Sequence, residues 1–327
     1  MWQEVHKNIY RIPVPLPHNP LKQVNTYLIR GQRDLLIDTG FNLEICEQTL
    51  LKAFKELAVE RENLDIFITH FHTDHVGLLN RIIVKETKIW CGEIPTDFIS
   101  LANNKNVRRK RESLLAEFGF KVKEGTLFDS KKPEFDLIIL KPKNFNILKE
   151  DDFIKVGDFN LQGIETPGHA SPHMCLYEPK LKILFSGDHI LNHISPNIAS
   201  FQLEKNSPLT YYFNSLDKIA AMDIDLVLPA HGDLLTDYRK RIEELKIHHW
   251  RRLKETFEIV KSGPITGIEV AKCLTWDISF EAWADFPETQ KFFALGETIS
   301  HLNYLLEQGE ISVEKREGLL YFSPNSN

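Results

Sequence analysis

Ile66-Phe67-Ile68-Thr69-His70-Phe71-His72-Thr73-Asp74-His75-Val76-Gly77 is a short apolar run that opens into a cluster of metal-capable side chains. Ile66 to Thr69 read as a buried strand. Just beyond it, His70 and His72 fall on one side while the chain stays extended, because strand neighbours alternate faces. The chain then turns, so Asp74 and His75 can face the same cavity. Three imidazoles and a carboxylate within residues 70–75 suit zinc, iron or manganese. A polar loop with chance histidines is the bland alternative, and the density of the cluster right after a buried strand argues against it.

Upstream, Asn25–Ile29 and Asp34–Asp38 flank Gly31 and predict a hairpin. Residues 43–59 space Leu43, Ile45, Leu50, Leu51, Phe54 and Leu57 roughly as a helix. Strand, helix, strand is an α/β signature. Downstream, strands are predicted at Phe135–Leu140, 153–156, 159–164, 174–177, Leu181–Phe185 and Asp225–Pro229, with a helix near 209–222. Residues 93–130 predict a helical insertion over the sheet edge. From about 236 the pattern changes to three helices, at 237–261, 265–275 and 288–308, followed by a hairpin at Ile311–Val313 and Leu319–Phe322. That order is winged-helix-like. The expected domains are therefore 1–235 and 236–327.

Three further strand ends carry a possible ligand on a turn. They are Thr166-Pro167-Gly168-His169, Phe185-Ser186-Gly187-Asp188 and Leu228-Pro229-Ala230-His231-Gly232. A glycine beside each lets the backbone turn tightly near a metal. Each alone is usually only a turn. Together with the first cluster they supply enough ligands for two metals.

On these motifs the sequence resembles the metallo-β-lactamase superfamily, and within it the glyoxalase II and β-lactamase-like-protein-2 group, over roughly residues 10–235. The resemblance implies a four-layer αββα sandwich with the site at one edge. It implies that His70, His72 and His169 hold a first metal, that Asp74, His75 and His231 hold a second, and that Asp188 bridges them. Asp38, in Leu36-Ile37-Asp38-Thr39-Gly40, matches the family's early aspartate and is expected to orient a ligand histidine. An acidic residue at Phe71 or Thr73 would hint at a redox di-iron site, and neither is acidic. His231 stands where single-iron persulfide oxidisers usually lack a ligand. Asp188 occupies the cysteine position of common β-lactamases, and no inserted nuclease domain is visible.

Other histidines carry weaker signals. His173 follows His169 by four residues across Pro172 and reads as a supporting or strand-lining group rather than a ligand. His189 and His193 lie near Asp188 and are candidates to line the pocket. His248 and His249 read as solvated or packing residues of the C-terminal helix, and His6, His18 and His301 carry no signal. Arg108-Arg109-Lys110-Arg111 reads first as a solvated helix face. Its functional alternative is an anchor for an anionic substrate, in a pocket formed with the C-terminal domain.

Bulk properties narrow the function class. The chain has 327 residues, long enough for roughly two domains of about 150. Its net charge of −6 gives no general attraction to nucleic acid or anionic membrane. The third C-terminal helix sets Lys291 against Glu288, Glu297 and Glu307, a poor surface for phosphates. That domain reads as a lid, a homodimer surface or a packing module. Cys46, Cys91, Cys175 and Cys273 are scattered and form no Cys-x-x-Cys pair, as in a reducing compartment. No secretory signal and no apolar run of about 18 residues is visible, so a cytoplasmic location is expected.

The chemistry expected is hydrolysis of thioesters, esters or lactones by a metal-bridging hydroxide, with two divalent ions, zinc in the first place and iron or manganese as alternatives. The partner is then a small-molecule acyl substrate. The alternative of another class is an endoribonuclease or phosphodiesterase like β-lactamase-like protein 2, which leaves RNA open as a substrate. A non-enzymatic metal-binding module is a third reading, and the complete ligand set argues against it.

Overall fold

The computed structural model describes residues 1–93, 105–123, 145–277 and 282–325. By contacts the chain separates into two compact units, one of residues 1–102, 130–196 and 218–241, the other of 103–129, 197–217 and 242–327. The sequence reading drew one boundary near 235; here segments 103–129 and 197–217 group with the C-terminal part.

The first unit is built on two sheets. Its first sheet has seven strands in chain order: β1 (Gln3–His6), β2 (Ile9–Pro15), β3 (Gln23–Ile29), β4 (Asp34–Ile37), β5 (Leu64–Ile68), β6 (Ile89–Cys91) and β7 (Phe145–Ile147). Pairing is antiparallel up to β4 and parallel from β4 onward. The second sheet has five strands, β8 (Phe153–Val156), β9 (Phe159–Glu165), β10 (Met174–Glu178), β11 (Ile183–Gly187) and β12 (Leu226–Pro229). Only the β11–β12 pair is parallel among them.

Side-chain alternation assigns the layers. Leu35, Ile37 and Phe67 join Leu161, Met174, Leu176 and Phe185 in a core between the sheets. Leu36, Ile66 and Ile68 point the other way, onto α1 (Glu44–Glu56). These strands are apolar on both faces because both faces are covered. Helix α1 buries Cys46, Leu50, Ala53 and Phe54 along one stripe, and Glu44 and Glu47 in its first turn favour the positive end of the helix dipole. The predicted hairpin about Gly31 is the β3–β4 pair. No strand is predicted from the sequence at β1, β2, β6 or β7; β6 and β7, at three residues each, are too short to show a period. The strand expected at Phe135–Leu140 lies outside the described residues, as does much of the 93–130 insertion.

Within the second unit, α4 (Lys105–Glu117) carries the basic run, and Arg109 and Lys110 are exposed there. The chain continues through α5 (Pro208–Ala220) and α6 (Tyr238–Val260), each of which begins in one unit and ends in the other. Next come β13 (Ile265–Thr266), α7 (Gly267–Cys273), α8 (Glu288–Glu307), β14 (Ile311–Arg316) and β15 (Leu319–Pro324). The Thr266 and Glu269 side chains close a capping box at the start of α7. The sheet order is β13-β15-β14, so the three helices and the hairpin foreseen from the sequence gain one short strand. Glu317 and Gly318 take positive φ at the hairpin turn. Helix α8 buries Glu297, Ser300, His301 and Asn303 along with its apolar side chains. Glu297 is thus no surface charge; of the two readings of His249, solvated or packing, it is the packing one that holds, and His301 is fully buried as well. Among the described residues no helix is long and apolar enough to cross a membrane.

Candidate metal centre

Strand β5 delivers Thr69 and His70 to the rim of its sheet, where His70 bridges to His173 and Met174 N–H donates to Thr69 O at 2.9 Å. The two sheets are stitched together there. His72 then caps a one-turn helix, α2 (Thr73–Val76), which carries Asp74 and His75 and is followed by a second single turn, α3 (Leu79–Ile82). Thr39 holds that turn by donating its hydroxyl to His75 O at 2.7 Å. Gly77 ends it because no side chain fits: a Cβ would be driven into Gly40 O and stand 2.5 Å from Thr73 O and 2.6 Å from Asn42 N. Gly77→Ala should cost about 1–3 kcal/mol by overpacking and displace the ligand turn. Urea unfolding and metal analysis check this, and an unchanged midpoint with full metal content would refute it.

The remaining candidates also stand just past strand ends. His169 follows β9, Asp188 follows β11 and His231 follows β12. The last is clamped to the first sheet: Asn25 Nδ2 donates to Pro229 O at 3.1 Å and Gly232 O at 2.9 Å, and Tyr27 Oη donates to Pro229 O at 2.8 Å. Gly187 takes φ +50, and a Cβ on it would meet His173 Nε2 at 2.8 Å.

The side chains meet in two groups. One ligand atom each from His70, His72, His169 and Asp188 lies within 4.8 Å of the others, and the same holds for Asp74, His75 and His231. His70 Nε2 and His169 Nε2 stand 2.9 and 3.0 Å from His72 Nδ1. Asp188 reaches both groups: Oδ2 is 3.5 Å from His169 Nε2 and 3.6 Å from His75 Nε2, and Oδ1 is 3.4 Å from His231 Nε2. Asp74 Oδ2 is 3.3 Å from His231 Nε2 and 3.7 Å from His75 Nε2. Ligand atoms about 2.1 Å from a common ion lie roughly 3–3.5 Å apart, so these spacings fit coordination.

Hydrogen bonding settles which nitrogens face inward. Asp38 accepts Thr69 N–H at 2.9 Å, the Thr69 hydroxyl at 2.8 Å and His75 Nδ1–H at 2.8 Å. His231 Nδ1–H donates to Gln23 O at 2.8 Å. Since the Thr69 proton is committed to Asp38, His70 Nδ1–H donates to Thr69 Oγ1 at 3.1 Å. Each ring therefore turns Nε2 inward. His75 Nε2, His231 Nε2 and Asp188 Oδ1 are buried and have no hydrogen-bond partner, a costly state that a cation would relieve. Burial, helped by the neighbouring His75 and His72 rings, pushes His70 well below the ordinary imidazole range. Burial opposes a charged Asp188, but His231 and His75 outweigh it and hold the carboxyl well below its ordinary range. Neutral imidazole and ionised carboxylate are the ligating forms; against burial, Asp38 raises His75 and Asp188 raises His231, so a cation bound there would displace their Nε2 protons. The donors of both groups fit divalent-metal binding.

His173 is not among these atoms. It donates Nδ1–H to Thr166 Oγ1 at 2.7 Å and accepts Asp188 N–H on Nε2 at 3.2 Å, so it supports the backbone that carries Asp188. His189 is fully buried, its ring 6.2 Å from that of His173. His193 is an exposed side chain, with Nε2 3.4 Å from Asp233 Oδ2. Sequence reading missed Asn25, Tyr27, Thr69 and Thr166, whose roles follow only from what packs beside them.

A family model described as the metallo-beta-lactamase superfamily matches residues 19–231, well over half of the chain. The chain belongs to that superfamily. It is similar to "Probable metallo-hydrolase YqjP" of Bacillus subtilis (strain 168), at 26% identity over 97% of this chain and 98% of the relative. It is also similar to the "Beta-lactamase-like protein 2 homolog" of Caenorhabditis elegans, at 25% over 90% of this chain and 84% of the relative. "Atrochrysone carboxyl ACP thioesterase" of Aspergillus chevalieri is 23% identical over 80% of this chain and 69% of that protein. A beta-lactamase domain protein from Burkholderia ambifaria superposes with a TM-score of 0.84 at 26% identity, covering 99% of this chain and 93% of that one. The metallo-β-lactamase fold expected from the motifs is the fold found, and the chain is a hydrolase of this superfamily.

Proposed function

We propose that the chain is a dinuclear metal-dependent hydrolase of acyl thioesters, esters or lactones. The observation that carries the reading is the position of Asp188, whose two oxygens face both ligand groups at 3.4–3.6 Å. His70, His72 and His169 would hold one ion, Asp74, His75 and His231 the other, with Asp188 shared. Two ions there supply Lewis acidity to a carbonyl oxygen and acidify a water toward neutral pH, with zinc the leading candidate and iron or manganese compatible with the same donors.

The chain's own groups supply position. Asp38 and Gln23 O fix the rings of His75 and His231 through their Nδ1 protons, so no reorientation is needed on binding. Asp74, the more exposed carboxylate at 13% against 8% for Asp188, accepts a hydrogen bond from the attacking water and holds it toward the carbonyl carbon. The thioesterase among the relatives supports the acyl-thioester class.

The test is a substrate panel on the purified, metal-reconstituted chain, with elemental analysis. Thiol release from a simple acyl thioester, abolished by chelator and restored by zinc, iron or manganese, is the expected result. Cleavage of single-stranded RNA without thioester turnover would instead support the phosphodiesterase reading, and thioester turnover indifferent to chelator would overturn the metal requirement.

A further inference from the structure

The second unit holds another group of metal-capable side chains, none of which belongs to the centre above. His248 and His249 are neighbours on α6 and Glu297 lies on α8, and one ligand atom from each falls within 4.8 Å of the other two. His249 is fully buried and Glu297 is 8% exposed, while the His248 side chain is partly open to solvent. An imidazole and a carboxylate in such a place are costly unless their polar atoms are satisfied.

Two of those atoms are not. Glu297 Oε2 accepts from Asn197 Nδ2 at 3.2 Å, but Oε1 has no hydrogen-bond partner among the described residues. The nitrogens nearest to it, Arg252 Nε at 3.8 Å and His248 Nε2 at 3.9 Å, are too far for hydrogen bonds. Arg252 keeps an ion pair with Glu297 at that distance, while its Nη1 donates to Thr275 O at 2.5 Å and the guanidinium lies 4.3 Å from the centre of the Trp276 ring. The second atom is His249 Nε2, also buried and without a hydrogen bond.

A relay of protons explains why that nitrogen is bare. His301 Nδ1–H donates to Glu297 O at 2.7 Å, which leaves His301 Nε2 as an acceptor in a neutral ring. His249 Nδ1 lies 3.3 Å from it and must carry the proton. The lone pair of His249 is then on Nε2. Ligating histidines are commonly fixed in this way, through a donor bond from the nitrogen that does not bind.

We propose that His248, His249 and Glu297 form a mononuclear site for a divalent cation of the zinc class, tying α6 to α8 within the second unit. Two imidazoles and one carboxylate are a zinc donor set that leaves a fourth position for water. A route of entry exists, since a cavity of about 330 Å³ is lined by His248 and Arg252 together with Glu244 and Glu255. The nearby Arg252 charge weakens the site relative to an all-anionic one. A structural role at micromolar free zinc is therefore the expectation, and the site stands independently of the hydrolase reading.

The experiment uses the full chain with His72→Ala, Asp188→Ala and His231→Ala, which removes ligands from both groups of the first centre. Zinc is titrated calorimetrically, with cobalt(II) absorption and thermal melting as second and third readouts. The expected result is one zinc equivalent, a tetrahedral cobalt spectrum and a zinc-dependent rise in melting temperature. Adding Glu297→Gln, which conserves size, should abolish all three. His248→Ala, at a partly exposed position that folding tolerates, should weaken zinc binding by at least about tenfold. A triple variant that binds no zinc, or zinc binding indifferent to both Glu297→Gln and His248→Ala, would overturn the proposal.

Discussion

Asp188→Asn is expected to lower turnover of the best acyl thioester by roughly three orders of magnitude and to reduce metal content below two ions per chain. The substitution conserves size, and the backbone bond from Asp188 N–H to His173 Nε2 survives it. What it removes is the second anionic oxygen. Oδ1 faces His231 and Oδ2 faces His169 and His75, so an amide nitrogen on either side puts N–H groups where a ligand lone pair is needed. Losing several kcal/mol of charge stabilisation at about 1.4 kcal/mol per factor of ten gives the stated loss. Single-turnover thiol release and elemental analysis are the measurements. A variant that keeps both metals and turns over within threefold of the parent would show that Asp188 is not shared.

The second large effect is expected at Asp38, which touches neither proposed metal. Its carboxylate accepts three hydrogen bonds, from Thr69 N–H, the Thr69 hydroxyl and His75 Nδ1–H, and it is 1% exposed. Asp38→Asn leaves one carbonyl oxygen for these donors and turns an amide donor toward the others. Stability should fall by roughly 3 kcal/mol, as when one partner leaves a buried charged network. Metal affinity should fall by about 10–100-fold, because the ring of His75 loses its orienting partner. The backbone is not at fault in this variant: Asp38 has φ 58, a region asparagine tolerates as well as aspartate does. Urea unfolding and competitive metal titration separate the two effects. If both match the parent, Asp38 neither braces the turn nor orients His75.

These two residues differ in how far the sequence alone reveals them. His70, His72, Asp74 and His75 are legible because they are contiguous and follow a short apolar strand; local spacing is enough to put them on one rim. His169, Asp188 and His231 are legible only together with a resemblance to a known family, since each by itself is an ordinary turn. The bond from Asp38 to His75 spans 37 positions and leaves no periodic mark. Packing of β4 beside β5 creates it, through the parallel register that sets Ile37 against Phe67.

Side-chain alternation and helical spacing determined most of the first unit's strands, the helix at Glu44–Glu56 and the succession of three helices and a hairpin at the C-terminal end. Those signals work because the period of a strand or helix is fixed within a few residues. The two N-terminal strands and the strands of three residues escaped them. So did the segmentation of the units, because residues 103–129 and 197–217 group by contact with partners distant in sequence. The burial of His249, His301 and Glu297 was decided in the same way. Their spacing along α6 and α8 is what a solvated helix face would also show, and only the packing of one helix on another turns it inward. Local chemistry can thus be read from order along the chain, whereas desolvation and the pairing of distant polar atoms exist only once the tertiary structure has removed water from between them.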